Sequence, residues 1–251
     1  MGKQMGIIPL KGTIDNLTFY VSPDGFLFRR KRIVSRETFQ THPSFAVQRR
    51  NSGEFGIAAK AGKLLTDSIS AAMKLVKDRK ATCRLLSVLL AAARKDMINA
   101  HGKRNAVDGD MHLLKGFEFN ANASLGNAFS EKFKTGIDRS GGEMKIRIPA
   151  FVPNEKLSGP NDATHYRLIS AAIELDLSNY KYLAREFLGE LNPIDEVQTA
   201  TVDIVHYLTP NSSIPILLVL GVVFYMVVNG ETLPVGGVSA NALSIVAVDI
   251  V

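Results

Sequence analysis

Hydrophobic positions change their period twice along the chain, and each change predicts a different kind of element. In residues 6–33 the apolar and β-branched runs GIIPL, LTFY and FLF are separated by turn chemistry at Asp15-Asn16 and at SPDG, residues 22–25, which predicts a three-stranded β-meander. Pro23 presets φ for the second turn and Gly25 tolerates positive φ. From about Ser44 to Ala100 the period is helical. Phe45, Phe55, Ile57, Leu64, Leu65, Ile69, Met73 and Val76 fall on one face, with breaks predicted near Gly53 and Gly56. A further helix carries Leu85, Leu86, Val88, Leu89, Leu90 and Ala93 as a wide stripe and ends near His101-Gly102. Cys83 lies at the edge of that stripe, which predicts a small buried apolar side chain.

After Gly116 the period shortens again. FEFN at 117–120, MKIRIPAFV at 144–152 and HYRLISAAIELDL at 165–177 read as strands, and MKIRI alternates apolar with basic as a half-exposed strand does. Residues 199–208 fit a strand or a helix. The stretch IPILLVLGVVFYMVV, 214–228, has 15 uncharged residues, short of the roughly 20 a membrane-spanning helix needs, and it contains Pro215 and Gly221 without basic flanks. Asn229-Gly230 beyond it is a hairpin signal, so VVFYMVVNGETLPV predicts two antiparallel strands, and the tail ALSIVAVDIV predicts another. Strands without a polar face must be covered on both sides, inside a sandwich or by a neighbouring copy.

These elements define an α+β protein: a mainly antiparallel β-sandwich or barrel-like core with a two- or three-helix insertion. The meander takes residues 1–43, the helical insertion 44–105, and a β-rich region completing the same core 106–251.

Charge changes the picture more than composition does. Residues 1–105 carry 20 Lys+Arg against 7 Asp+Glu, and residues 106–251 carry 10 against 17, giving +13 and −7 for the overall +6. No Lys or Arg follows Arg185. Such asymmetry predicts a basic face for an anionic partner or two complementary ends that attract copies of the same molecule. A lone Cys83 forms no disulfide within the chain and fits a reducing compartment, and the start MGKQMGIIPLKG lacks the apolar core of a secretory signal, so a cytoplasmic location is expected.

Candidate chemistry is sparse. GIAAKAGKL from Gly56 departs from a phosphate-binding loop, with five residues between its glycines and Leu64 where a magnesium-holding hydroxyl belongs. His101, Asp108, Asp110 and His112 contain the residue types of a metal site, yet HGKRNAVDGDMH reads as a polar loop. His42, His165 and His206 lie far apart and no hydrolase spacing occurs, so no catalytic residue, cofactor or metal is assigned. The basic set Arg49, Arg50, Lys60, Lys63, Lys74, Lys77, Arg79, Lys80 and Arg84 has only Phe45 and Phe55 as stacking aromatics nearby, which weakens a nucleic-acid surface.

The segment KGTIDNLTFYVSPDGFLFRRK, 11–31, is similar to the opening of an uncharacterised family of bacterial proteins in which a KGTI…TFY…DG hairpin precedes an EFG…AGK helix. EFGIAAKAGKLL from Glu54, GFEFN from Gly116, PAFVP from Pro149 and ATHYRLISA from Ala163 extend the similarity over nearly the whole chain. The family carries no activity that can be named. It also looks like the cytoplasmic fibril-forming proteins of gliding bacteria, which implies a non-enzymatic subunit that assembles with copies of itself into a fibre or tube. RRKR, 29–32, departs from the mixed-charge segment of the relatives. The alternatives are a nucleic-acid-binding protein using the basic half and a phage-derived tail or capsid protein. Candidate assembly residues are Ile7, Ile8 and Leu10 in the N-terminal arm and Arg29, Arg30, Lys31 and Arg32 after the third strand. The arm either completes its own sheet or adds a strand to a neighbour, and Pro9, without an N–H, belongs at an edge.

Overall fold

The first hairpin turns at Asp15-Asn16 and the second at Pro23-Asp24, where short polar and imino residues reverse the chain. The computed structural model describes all residues except Met1, Ile7, Arg32, Lys77, residues 236–239 and Val251. Strands β1 (Gly2–Lys3), β2 (Gly12–Ile14), β3 (Leu17–Ser22) and β4 (Gly25–Arg30) form a four-stranded antiparallel sheet in the order β1-β4-β3-β2. The strand predicted at 6–10 is displaced. Pairing occurs at 2–3 and resumes at 12–14, because Gln4 closes the segment between them: its Oε1 accepts the Leu10 N–H at 2.8 Å and its Nε2 donates to the carbonyls of Leu10 and Leu27 at 3.1 Å each. The arm thus begins by pairing within its own chain, Gly2 opposite Phe28 and Lys3 opposite Leu27.

A short helix α1 (Arg36–Thr41) follows, its first turn capped by the Ser35 hydroxyl, which accepts the Thr38 N–H at 3.0 Å. Helix α2 (Ala46–Ser68) then runs without the predicted breaks at Gly53 and Gly56. The chain forms two compact units, Met1–Arg49 and Arg50–Val251, so the division lies inside α2.

In the second unit, α2 is joined by α3 (Ser70–Val76) and α4 (Ala81–Arg94). Helix α4 stops at Arg94, short of the predicted end near His101-Gly102, because the buried Asp96 carboxylate takes the N–H groups of Ile98, Asn99 and Asn105 at 2.8, 2.9 and 3.0 Å and folds the next residues into a loop. Cys83 corrects another expectation, since it is exposed. The stripe itself is as wide as predicted, with Ala81, Leu85, Leu89, Ala92 and Ala93 buried and Leu86, Val88 and Leu90 packed partly buried beside them, but two residues of helix rotate Cys83 about 200° from Ala81.

Two single-turn helices, α5 (Leu125–Ala128) and α6 (Pro153–Lys156), punctuate strands β5 (Lys134–Asp138), β6 (Glu143–Ile148), β7 (His165–Asp176), β8 (Lys181–Leu188), β9 (Asn192–Pro193), β10 (Val202–Tyr207), β11 (Ile216–Val228), β12 (Glu231–Pro234) and β13 (Ala242–Asp249). FEFN forms no regular strand, although its backbone bonds β13 through Phe119 N–H to Leu243 O and Ile245 N–H to Phe117 O. Asn229 at φ 52° and Gly230 at φ 82° supply the positive pair of a type I′ turn between β11 and β12.

The central sheet has β7 and β11 inside, flanked by β8 and β9 on one edge and by β13 and β12 on the other. One face, carrying Ile169, Ile173, Leu217 and Val219, packs with Leu65, Leu85 and Leu89 of the helices. The other, carrying Leu168, Ala172, Leu218 and Phe224, packs with Met144, Ile146, Ile148 and Ile204 of a three-stranded sheet β10-β6-β5. Burial on both faces explains why β11 lacks a polar position through Phe224. The pairing register of β13 with β11 shifts between Leu218 and Val219, and the extra residue swaps faces, so Ile245 and Val248 both reach the helical side. The fold is α+β with a mainly antiparallel, barrel-like core. MKIRI behaves as a half-exposed strand, with Met144, Ile146 and Ile148 buried and Arg147 exposed. No helix among the described residues is long and apolar enough to cross a membrane.

Candidate functional site

The N-terminal sheet is amphipathic, and its pairing register shows how. Phe19 stands opposite Phe28, Val21 opposite Phe26, and Leu17 opposite both Arg30 and Ile14, so these side chains share one face. The other face carries Thr13, Thr18, Tyr20, Leu27 and Arg29, with the two threonine hydroxyls 3.4 Å apart and the Arg29 guanidinium 5.4 Å over the Tyr20 ring. Among the described residues of 1–49, none is buried. Val21 is 52% exposed, Ile14 58% and Phe26 38%. A sheet of this size normally buries its apolar face against a second layer. Here, among the described residues, Leu17, Phe19 and Phe28 are half-buried and no side chain of that face is buried.

Of the assembly residues read from sequence, Ile8 and Leu10 are exposed in the loop that Gln4 closes, and Arg29 and Arg30 end β4. Lys31 follows, its N–H donating to Asn16 O at 2.6 Å. Ile7 and Arg32 lie outside the described residues. Arg29, Arg30 and Lys31 are exposed, and no carboxylate among the described residues pairs with them.

The other sequence candidates disperse. GIAAKAGKL lies inside α2, where backbone N–H groups are spent on helix bonds and cannot cradle a phosphate. His101 meets Asn51 Oδ1 at 2.9 Å, and Asp108 accepts from Asn99 and Asn105 at 2.7 Å each. Asp110 pairs with Lys95 at 2.7 Å, which holds its carboxyl below the usual range, and caps the turn at His112. Among the described residues no cluster of three His, Cys, Asp or Glu could hold a metal ion. Several helical cations have intramolecular roles. Arg49 donates to the carbonyls of Phe39 and His42, Lys60 sits 5.0 Å over the Tyr180 ring, and Arg84 bonds Asp78 and the Glu118 carbonyl while lying 5.3 Å over Phe117.

Sequence reasoning missed two things. Ser170 and His206, distant in sequence, are buried together with Ser170 Oγ 3.0 Å from His206 Nε2. The serine hydroxyl also lies 2.8 Å from Val219 O, so the carbonyl competes with the imidazole for its one proton, and both side chains are buried away from any substrate. Burial pushes the His206 imidazole below its ordinary value and keeps it neutral. The second is a groove of about 620 Å³ between β7, β8 and β10, lined by Tyr166, Leu168, Phe187, Leu188 and Val202 and by Glu190. Burial, and then the nearby Asp195 carboxylate, push the Tyr166 hydroxyl up to about 12. No signal in the sequence joins positions 166, 188 and 202; only the topology does.

A scan against protein-family models finds no match, and a search of curated proteins finds no similar sequence.

Proposed function

We propose that the chain is a non-enzymatic structural subunit that assembles with copies of itself into a cytoplasmic fibre or tube. The observation that carries this is the N-terminal sheet, which turns Ile14, Leu17, Phe19, Val21, Phe26 and Phe28 to one side and buries none of them. Burying a large apolar side chain contributes about 1.5–3 kcal/mol, so covering such a face drives association. Its exposed cations Arg29, Arg30 and Lys31 and the acidic C-terminal region favour a head-to-tail contact, and a heterologous contact that does not close gives a filament. The inward-turned Ser170–His206 pair supports the non-enzymatic part, and the single cysteine fits a reducing compartment. Negative-stain electron microscopy of the purified protein at low and high sodium chloride tests the proposal. Fibres or tubes at low salt that thin out at high salt are the result expected. Monomers throughout, or protein that purifies with strong absorbance at 260 nm and stays unassembled once stripped of it, would replace the proposal, the latter with nucleic-acid binding.

A further inference from the structure

The same reading leaves open where on a second copy the N-terminal sheet lands, and charge and shape on the second unit answer that. Along β4 the residues on the apolar face are Phe26, Phe28 and Arg30, two aromatic rings followed by a guanidinium. Its complement is an apolar depression with a carboxylate at one end and no cation. The groove between β7, β8 and β10 has that composition: its lining is largely aromatic and aliphatic, Glu190 in it is exposed, and neither Lys nor Arg lines it. The stretch of chain that supplies Glu190 is also acidic as a whole. Residues 186–251 hold seven Asp+Glu and no Lys or Arg, whereas residues 1–49 hold eight Lys+Arg against three Asp+Glu. Burial raises the Tyr166 hydroxyl first, and the nearby Asp195 carboxylate adds to that rise, so the charge felt at Tyr166 is negative. A guanidinium seated there is stabilised by the same field.

We infer that this groove, lined by Tyr166, Leu168, Phe187, Leu188 and Val202 and by Glu190, is the acceptor for the Phe26–Phe28–Arg30 row of a second copy of the chain. It rests on the self-assembly proposal and adds the missing half of the interface. The contact is heterologous: each copy offers one donor row and one acceptor groove, so each copy holds two neighbours.

Two full-length variants test this by sedimentation velocity. Phe26→Asp/Arg30→Glu disables the donor, and Glu190→Arg/Ala200→Trp disables the acceptor by reversing its charge and filling it; these positions are exposed, and unchanged melting temperatures confirm the folds. Each variant alone is expected to raise the concentration needed for assembly by at least about tenfold, as loss of about 1.4 kcal/mol per contact does. Mixed in equal amounts they retain one intact donor and one intact acceptor between them, and the mixture should sediment as a one-to-one dimer that grows no further. Wild-type-like assembly of Glu190→Arg/Ala200→Trp removes the groove as acceptor and leaves self-assembly standing. A mixture that stays monomeric overturns the head-to-tail pairing. A wild-type protein monomeric at every concentration overturns both.

Discussion

Two glycines on one helix, three residues apart, give opposite expectations for the same substitution. In an exposed helix interior, replacing glycine by alanine stabilises by about 1 kcal/mol, because the unfolded chain loses freedom it would otherwise regain. At Gly56 an added Cβ has no atom within 4 Å, so Gly56→Ala should realise that gain, raising the melting temperature by about 2–4 °C for a unit of this size. At Gly53 the added Cβ falls 2.7 Å from the carbonyl oxygen of Gly102. That oxygen is not free to retreat. The Gly102 N–H donates to Glu54 Oε1 at 2.9 Å, and Arg104 grips the same carboxylate through Nε at 2.6 Å and a second nitrogen at 2.9 Å. Forcing the loop outward costs about 1–3 kcal/mol, as overpacking does, so Gly53→Ala should be neutral to destabilising by about 2 kcal/mol. Thermal unfolding followed by circular dichroism separates the two. Equal stabilisation by both substitutions would show that the 96–105 loop does not lie against α2 and would refute the packing described.

Other expectations are as direct. Asp96, lowered from 3.8 to about 2, lends stability that is complete above its ordinary value and is lost as pH falls towards 2; an acid unfolding curve should therefore be shallower for Asp96→Asn between about pH 4 and 2. His206 is held neutral, so the unfolded chain takes up a proton at about 6.5 that the folded chain refuses, and stability should begin to fall below that pH in wild type but not in His206→Phe. Arg139 ties the end of β13 to the 211–214 loop by bonding the Asp249 side chain and the carbonyls of Asp249, Ser212 and Ile214; Arg139→Ala should destabilise by about 2–4 kcal/mol in urea titrations. Cys83 should react with a maleimide in the native protein as fast as a free thiol, and protection until unfolding would contradict its placement on the outer side of α4.

What was legible in the sequence follows burial. Strands β7 and β11 read clearly because both faces are covered and their side chains are uniformly apolar, and the Asn229-Gly230 turn reads because its backbone demands those residues. The edge strands β5 and β8 did not. KYLAREFL of β8 and KTGID of β5 are mostly exposed, and the Lys, Arg, Glu and Asp that suit an edge erase the alternation that would reveal it. Gly53 looked like a helix breaker because a sequence does not show the Gly102 carbonyl it accommodates. The apolar runs of the meander were visible, while the fact that none of their described residues is fully buried, and the groove built from β7, β8 and β10, exist only once the chain is folded.

The central claim is that the apolar face of the N-terminal sheet drives association, and sedimentation velocity of the full-length chain against Phe19→Thr/Val21→Thr tests it most directly. Both positions lie on that face in a strand, where threonine keeps β propensity and removes apolar area. The wild type should form large species whose fraction grows with concentration, and the variant should sediment as a monomer with an unchanged far-ultraviolet spectrum. Wild-type protein that remains monomeric up to the highest concentration, or a folded variant that assembles equally well, would contradict it.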